Sequence, residues 1–314
     1  MGLKMKRWAR TLYTILAAIT IVASSLSAGL RNSTEPPVIP VGLDAYRMWD
    51  QWPVLRIGQR AYMTSTYDRK GGNESADASH FLCQLKDDRN VSLDIMGQGV
   101  VEFARYNHWH GSPWHYIVDG QDNVVRETSS TDPEHPVENS VFIPEKQFPN
   151  PLTWTWSQTK GADLMWVPLP FEQSFTMAYE RTHYGTGYYI YHKFMPGMTN
   201  LSRPIKAWKP EDIPAQDVLD LLNRSGADIA PKGIPTLCGS VSPQAGEIKV
   251  IASGIRAPSD IRAIKFSVSL DRAEAFSKAR LLIYWDGSPT PSVDAPVNLA
   301  VYDALLGEEV AHVA

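Results

Sequence analysis

Val91–Gly120 reads VSLDIMGQGVVEFARYNHWHGSPWHYIVDG, and this stretch decides the fold. Val91 to Met96, Val100 to Tyr106 and His115 to Val118 are short runs of β-branched and aromatic residues, separated by Gly, Asn and Pro and closed by Asp119-Gly120. Runs of that length and composition are strands, and Asp-Gly after such a run is a hairpin turn. Phe81 to Leu85, Leu164 to Pro168, Phe175 to Tyr179 and Gly187 to His192 repeat the pattern. So do EIKVIASGI from Glu247, IRAIKFSVSL from Ile261 and RLLIYWDG from Arg280. An all-β sandwich or barrel follows. Helical periodicity is confined to Pro210 to Asn223, where Ile213, Val218, Leu221 and Leu222 share a face, and the segment DRAEAFSKA at Asp271–Ala279 suits either a helical turn or a loop.

The two halves echo each other. YIVDG (Tyr116–Gly120) and IYWDG (Ile283–Gly287) each follow a G-x-V-x-F or I-x-F strand and precede a Pro-Val segment, HPVENSV or SVDAPV. Three features in one order point to a duplicated sandwich.

The chain has 314 residues, 43% hydrophobic and 20% charged, with a formal net charge of -4. That supplies a buried core and excludes disorder, collagen and a disulfide mini-scaffold. A pI near 6.1 gives no basic footprint for nucleic acid. Lys4, Lys6, Arg7 and Arg10 precede a largely apolar run from Leu12 to Ala23 and the small residues Ser24, Ser25, Ser27 and Ala28, the layout of a signal peptide cleaved near Ser25 to Ala28. The run is short of the roughly 20 residues that cross a bilayer, so the expected product is secreted after cleavage, with no stable membrane span; an uncleaved signal anchor is the other reading. Sequons at Asn32, Asn73, Asn90, Asn200 and Asn223 fit export. Cys83 and Cys238 suit either a disulfide, worth about 5 kcal/mol by loop-closure entropy, or two separate buried thiols.

Three constellations can carry chemistry. Tyr67-Asp68-Arg69-Lys70-Gly71-Gly72-Asn73-Glu74, with Asp77 beyond, puts carboxylate, guanidinium and amide on one loop, the mixture that hydrogen-bonds polyhydroxylated ligands. Equally, an Asp-Arg pair braces a glycine turn. His108-Trp109-His110, followed by Trp114 and His115, places two imidazoles on one strand face, as in cupin metal sites, but the carboxylate such a site wants is missing from the following positions and no metal or other cofactor is assigned. Trp154, Trp156 and Trp166 with Arg181, His183, Tyr184, Tyr188, Tyr189 and Tyr191 give either a sugar-stacking row or core. Asp68, Glu74, Asp77, Glu102, Glu172, Glu180, Asp286 and Asp294 are available carboxylates, and spacing selects no catalytic pair among them. No G-x-S-x-G elbow, Walker loop, Rossmann fingerprint or zincin helix is present.

The string TSTYDRKGGNESAD (Thr64–Asp77) resembles the S-S-Y-D-R-T-G-G-N-D-D segment of the family called domain of unknown function 2961, now glycoside hydrolase family 172. The later order is also similar: a G-x-G-V strand at Gly97–Val100, Asp119-Gly120, VPLPF at Val167–Phe171, then YWDG and PSVDAPV. The resemblance spans about residues 45 to 297. It implies tandem jelly rolls, a trimer or hexamer, and retaining cleavage of α-D-fructofuranosides or D-arabinofuranosides by two glutamates, neither of which is matched to a position here. Asp68, Arg69, Asn73, Trp109, Trp114 and Tyr188 are then the expected carbohydrate-binding residues, and a non-catalytic carbohydrate-binding sandwich or a cupin-like metalloprotein using His108, His110 and His115 are the other readings. Where the family continues with a Gly-Asp-Phe-Phe-Gly type segment, this chain runs from Asn298 to Ala314 off-pattern. The expected organisation is leader 1–28, Pro-rich tether 29–44, first jelly roll 45–200, linker with helix 201–245, and a partial second jelly roll 246–314.

Overall fold

The computed structural model describes residues 17–24 and 37–297, apart from 53, 72–79, 108–112, 131, 133, 181–185, 226, 228–232, 234 and 256–259. The chain divides into two compact units. One spans Thr34–Asn223, and the other joins the described residues before Ser33 to those after Arg224.

In chain order the strands begin with β1 (Ala17–Ser24), β2 (Gln59–Ser65), β3 (Cys83–Gln84), β4 (Asn90–Met96), β5 (Gly99–Asn107) and β6 (Trp114–Val118). There follow β7 (Gln121–Glu127), β8 (Phe142–Ile143), β9 (Thr153–Trp154), β10 (Asp163–Met165), β11 (Leu169–Phe171), β12 (Ser174–Tyr179) and β13 (Thr186–Phe194). The last four are β14 (Thr236–Val241), β15 (Asp260–Val268), β16 (Arg280–Ile283) and β17 (Val293–Pro296). Helices are short: α1 (Asp44–Arg47), α2 (Trp156–Thr159), α3 (Gln216–Leu222) and α4 (Ala273–Ser277). None among the described residues is long and apolar enough to cross a membrane.

The Thr34–Asn223 unit is an all-β sandwich. One sheet runs β2-β13-β5-β10-β9, with β11 also on β5, and the other runs β3-β4-β12-β6-β7-β8. Val101, Ala104, Tyr106, Met165 and Tyr189 of the first face Leu93, Ile95, Trp114, Tyr116, Phe175, Met177 and Tyr179 of the second in one buried cluster. Period-two alternation produces this: in β6 Trp114, Tyr116 and Val118 are all in the core.

The Asp-Gly turns behave as the sequence requires. Asp119 and Gly120 take φ of 48° and 85°, and Asp286 and Gly287 take 50° and 72°. Both central residues of each turn are left-handed, the geometry that joins strands of right-handed twist. Asp119 does more than turn the chain. Its carboxylate accepts the backbone N–H groups of Glu172 (3.0 Å), Gln173 (2.7 Å) and Ser174 (2.8 Å), fixing the β11–β12 turn beside the β6–β7 hairpin.

Several boundaries differ from expectation. The 29–44 tether is not free along its length: Ile39 and Val41 are buried with Val100, Phe194 and Ile205. Asp44 is gripped by Arg203, Ser202 and Arg47, while Arg47 also clamps Asp217 of α3 through two bonds of 2.6 and 2.7 Å. Burial pushes the Asp44 carboxyl up, yet the bonds from Arg203 and Ser202 hold it below the usual range. Helix α3 buries Val218 and lays Leu219 and Leu222 on the main core, at the end of the Thr34–Asn223 unit. The expected first strand of the second half is also absent: Ile248 and Val250 are 78% and 74% exposed and pair with nothing in a sheet. Cys83 and Cys238 are free and exposed, neither bridged nor buried. Asn90 is buried at the start of β4, which closes that sequon to a glycan once the chain has folded.

The second unit has a sheet in the order β14-β1-β15 and a β16–β17 hairpin. Among the described residues its core holds Phe266 and Val297, with partly buried Ile251, Ile264, Phe276 and Leu281 around them. Ala17–Ser24, most of which lies in the run read as the apolar core of a leader, forms β1, which pairs antiparallel with both β14 and β15. DRAEAFSKA resolves into a single turn followed by α4.

Candidate functional site: a loop and an aromatic face at one corner of the sandwich

Asp68 and Arg69 follow the end of β2, and Tyr188 lies opposite Ser65 at that strand end. Where β2 ends, Thr66 remains tied to β13, its N–H donating to Gly187 O and its hydroxyl accepting from Gly187 N–H, both at 3.1 Å. The chain then leaves the sheet in an Asx turn. Lys70 N–H donates to Asp68 Oδ1 (2.8 Å), and Gly71, at φ 79°, supplies the left-handed residue the turn needs.

Arg69 holds this loop in place. Its guanidinium donates to the carbonyls of Ser65 (3.2 Å), Tyr67 (3.4 Å) and His80 (3.3 Å) and lies 4.8 Å from the centroid of the Tyr67 ring. His80 marks the return of the loop, after which Phe81 packs edge-on against Tyr179 and Leu82 N–H donates to Val91 O. The loop therefore bridges from the first sheet to the second across the sandwich end. Within it, His80 Nδ1 lies 3.9 Å from Asp68 Oδ1, and His80 Nε2 has no hydrogen-bond partner among the described residues.

Tyr188 stands directly opposite Ser65 in the β2–β13 register and opposite Arg105 in β5. Because Tyr189 faces the core, Tyr188 and Ile190 face outward. The Arg105 guanidinium sits 5.2 Å from the Tyr188 ring centroid, a cation–π contact that leaves the ring half-buried. The same outer face carries Phe103 against Trp166 (5.2 Å) and the exposed side chains Met63, Ile190 and Trp154. An outer face with exposed apolar and aromatic side chains thus lies on the sheet whose strand β2 leads into the Asp68–Arg69 loop.

Other expected residues lie elsewhere. Trp114 is 0% exposed, stacked on Tyr106 (4.4 Å) and Phe142 (5.3 Å), so it is a core residue and not a ligand contact. The cause is the inward phase of β6, one residue out of step with His115. Tyr189 is likewise internal, in a hydroxyl chain with Tyr179 (2.7 Å) and Ser92 (2.7 Å). Asn73, Glu74, Asp77, Trp109, His108, His110, Arg181, His183 and Tyr184 lie outside the described residues. His115 is buried on the outer side of the second sheet, where its Nδ1 meets Asp122 (2.8 Å) and Arg89 (2.9 Å) and its Nε2 lies 3.5 Å from Glu180. No group of three or more His, Cys, Asp or Glu among the described residues is arranged to hold a metal ion.

A pair of acids escaped the sequence reading. Asp163 opens β10 facing inward, 2% exposed, with its Oδ1 accepting Trp156 N–H (2.7 Å) at the start of α2. Glu127, at the end of β7, accepts Ser129 N–H. Burial, reinforced by the nearby Glu127 charge, pushes the Asp163 carboxyl well above the usual range, and burial also raises Glu127. An acid in an otherwise apolar strand, Asp163-Leu164-Met165, is the one sequence signal that points to it.

The sign of the consequence is fixed. A carboxyl raised in the folded state binds its proton more tightly there than in the unfolded chain, so its stabilising contribution is complete below about pH 4 and is lost as pH rises through the folded value. Asp163→Asn keeps an acceptor for Trp156 N–H and cannot ionise. Thermal melts of wild type and variant between pH 5 and 9 are expected to diverge in the variant's favour as pH rises; a constant gap would show that Asp163 does not titrate over that range.

No protein-family model matches the chain and no curated protein matches it. Fold and site together define an all-β sandwich with a polar loop beside an aromatic face.

Proposed function

We propose that this chain is an exported carbohydrate-active sandwich protein that recognises furanosides at the Asp68–Arg69–Tyr188 corner. The observation that carries the reading is the shared anchor at Ser65. Tyr188 lies opposite that residue in the sheet while Arg69 donates to its carbonyl, which supports a ring for stacking and a loop for hydroxyl recognition at the same strand end. Asp68 offers a carboxylate acceptor beside His80, and the resemblance of Thr64–Asp77 to the furanosidase motif supplies the sugar class. In this reading Asp68 and Arg69 orient the ring, Tyr188 covers one face of it, and cleavage needs a nucleophilic carboxylate with a second, protonated one at the leaving oxygen.

One observation favours a second reading, a binding sandwich without turnover. Asp163 and Glu127, the two carboxyls that burial pushes up, are engaged by backbone N–H groups around α2, and Asp163 is closed to solvent. Calorimetric titration of the full chain with D-arabinofuranose oligosaccharides tests both readings at the level of recognition. Saturable binding is expected, weakened at least tenfold by Tyr188→Ala with no change in melting temperature. Equal binding by wild type and variant would remove the corner as the site.

A further inference from the structure

Strands β14 and β15 do not pair with each other; each pairs with β1, antiparallel. The register is continuous from Ala17↔Val241 to Val22↔Thr236 on one side. On the other it runs from Ala17↔Val268 to Ser24↔Asp260, with a shift between Val22 and Ala23. Removal of β1 would leave two edges facing a gap one strand wide, each with unpaired N–H and C=O groups. β14 is ill-suited to stand alone, being short, exposed and interrupted by Gly239. The occupant has the composition such a gap selects: AAITIVAS carries no charge and places Ile, Thr, Ile and Val in its middle.

We propose that β14 and β15 form a strand-acceptor slot for an uncharged, β-branched segment, and that its occupant in the folded protein is the chain's own Ala17–Ser24. The recognition mode is β-augmentation, in which main-chain hydrogen bonds to both flanks supply the affinity and side-chain shape sets the choice. Most of Ala17–Ser24 lies in the run that also reads as the apolar core of an export leader, so removal by a peptidase and retention as a central strand are competing fates for the same residues. A chain cut beyond Ser24 keeps the slot and lacks its strand. The inference is independent of furanoside recognition, which concerns the other unit, and it stands against the expected cleavage of the leader near Ser25 to Ala28.

The register supplies its own test, because Thr20 lies opposite Cys238 and that thiol is free and exposed. Opposed Cα atoms in an antiparallel pair are about 4.5–5.5 Å apart, inside the range a disulfide spans. In the full chain carrying Cys83→Ser, Thr20→Cys is expected to cross-link to Cys238 under oxidised glutathione in high yield, read by non-reducing peptide mapping. Ser24→Cys, which lies opposite Asp260 and beyond the β14 register, is expected to give less than a tenth of that yield. Equal yields at the two positions, or no link at either, would overturn the proposal. So would a secreted protein whose first residue lies beyond Ser24.

Discussion

Trp114→Ala is expected to destabilise the sandwich by about 3–5 kcal/mol, the range for truncating a large buried aromatic. The ring is fully enclosed, sandwiched between Tyr106 and Phe142 with interplanar angles of 23° and 22°, and no smaller side chain can keep either contact. For a unit of this size that loss corresponds to a fall in melting temperature of roughly 10 °C. The experiment also separates two roles that the sequence left open. A tryptophan that stacks on a sugar would lose binding and keep its melting temperature; a core tryptophan does the reverse, and at temperatures where the variant is folded its furanoside affinity is expected to equal that of wild type. Thermal melts and titrations on the same samples decide the matter.

Gly187→Ala is expected to have an effect of similar size from the addition of one methyl group. A Cβ on Gly187 would overlap the Tyr189 hydroxyl and lie 2.6 Å from the Tyr179 hydroxyl. Neither ring has room to retreat, since both are buried and their hydroxyls are joined to each other and, through Tyr189, to Ser92. Overpacking costs about 1–3 kcal/mol, and each buried hydroxyl left without a partner adds about 1–3 kcal/mol. Burial already pushes the Tyr179 and Tyr189 hydroxyls well above the ordinary tyrosine range, which measures how little water reaches them. Chemical denaturation should show a lower midpoint with an unchanged slope. A variant as stable as wild type would mean that the β13 strand can shift outward at this point.

Much of the sandwich was legible because its strands carry their own punctuation. β4, β5, β6, β12 and β13 coincide with β-branched runs to within a residue or two, and both Asp-Gly turns adopt the left-handed pair that their residues favour. β2 and β7 were not legible, since QRAYMTS and QDNVVRE are edge-like and half-polar and gain their strand character from the partners beside them. EIKVIASGI shows the opposite failure. It has strand composition but finds no strand partner among the described residues, and its Ile248 and Val250 remain exposed.

The site was legible in part. The Asp68–Arg69 loop announced itself by composition, but its proximity to Tyr188 depends on a β2–β13 pairing that joins residues more than a hundred positions apart. Which way each aromatic points depends on strand phase. A one-residue difference sends Trp114 and Tyr189 into the core and Tyr188 outward, and no composition rule sees it. The Asp163–Glu127 pair is long-range in the same sense, made by the β7 end and the β10 start around α2.

The central claim is that the corner recognises furanosides, and turnover is its most demanding form. The full chain, incubated with an aryl α-arabinofuranoside and with difructose anhydride, is expected to release aglycone or fructose, and Arg69→Ala is expected to abolish that release while the fold is retained. Binding without release would select the non-catalytic sandwich. Neither binding nor release with either furanoside, from protein whose melt is cooperative, would contradict the account.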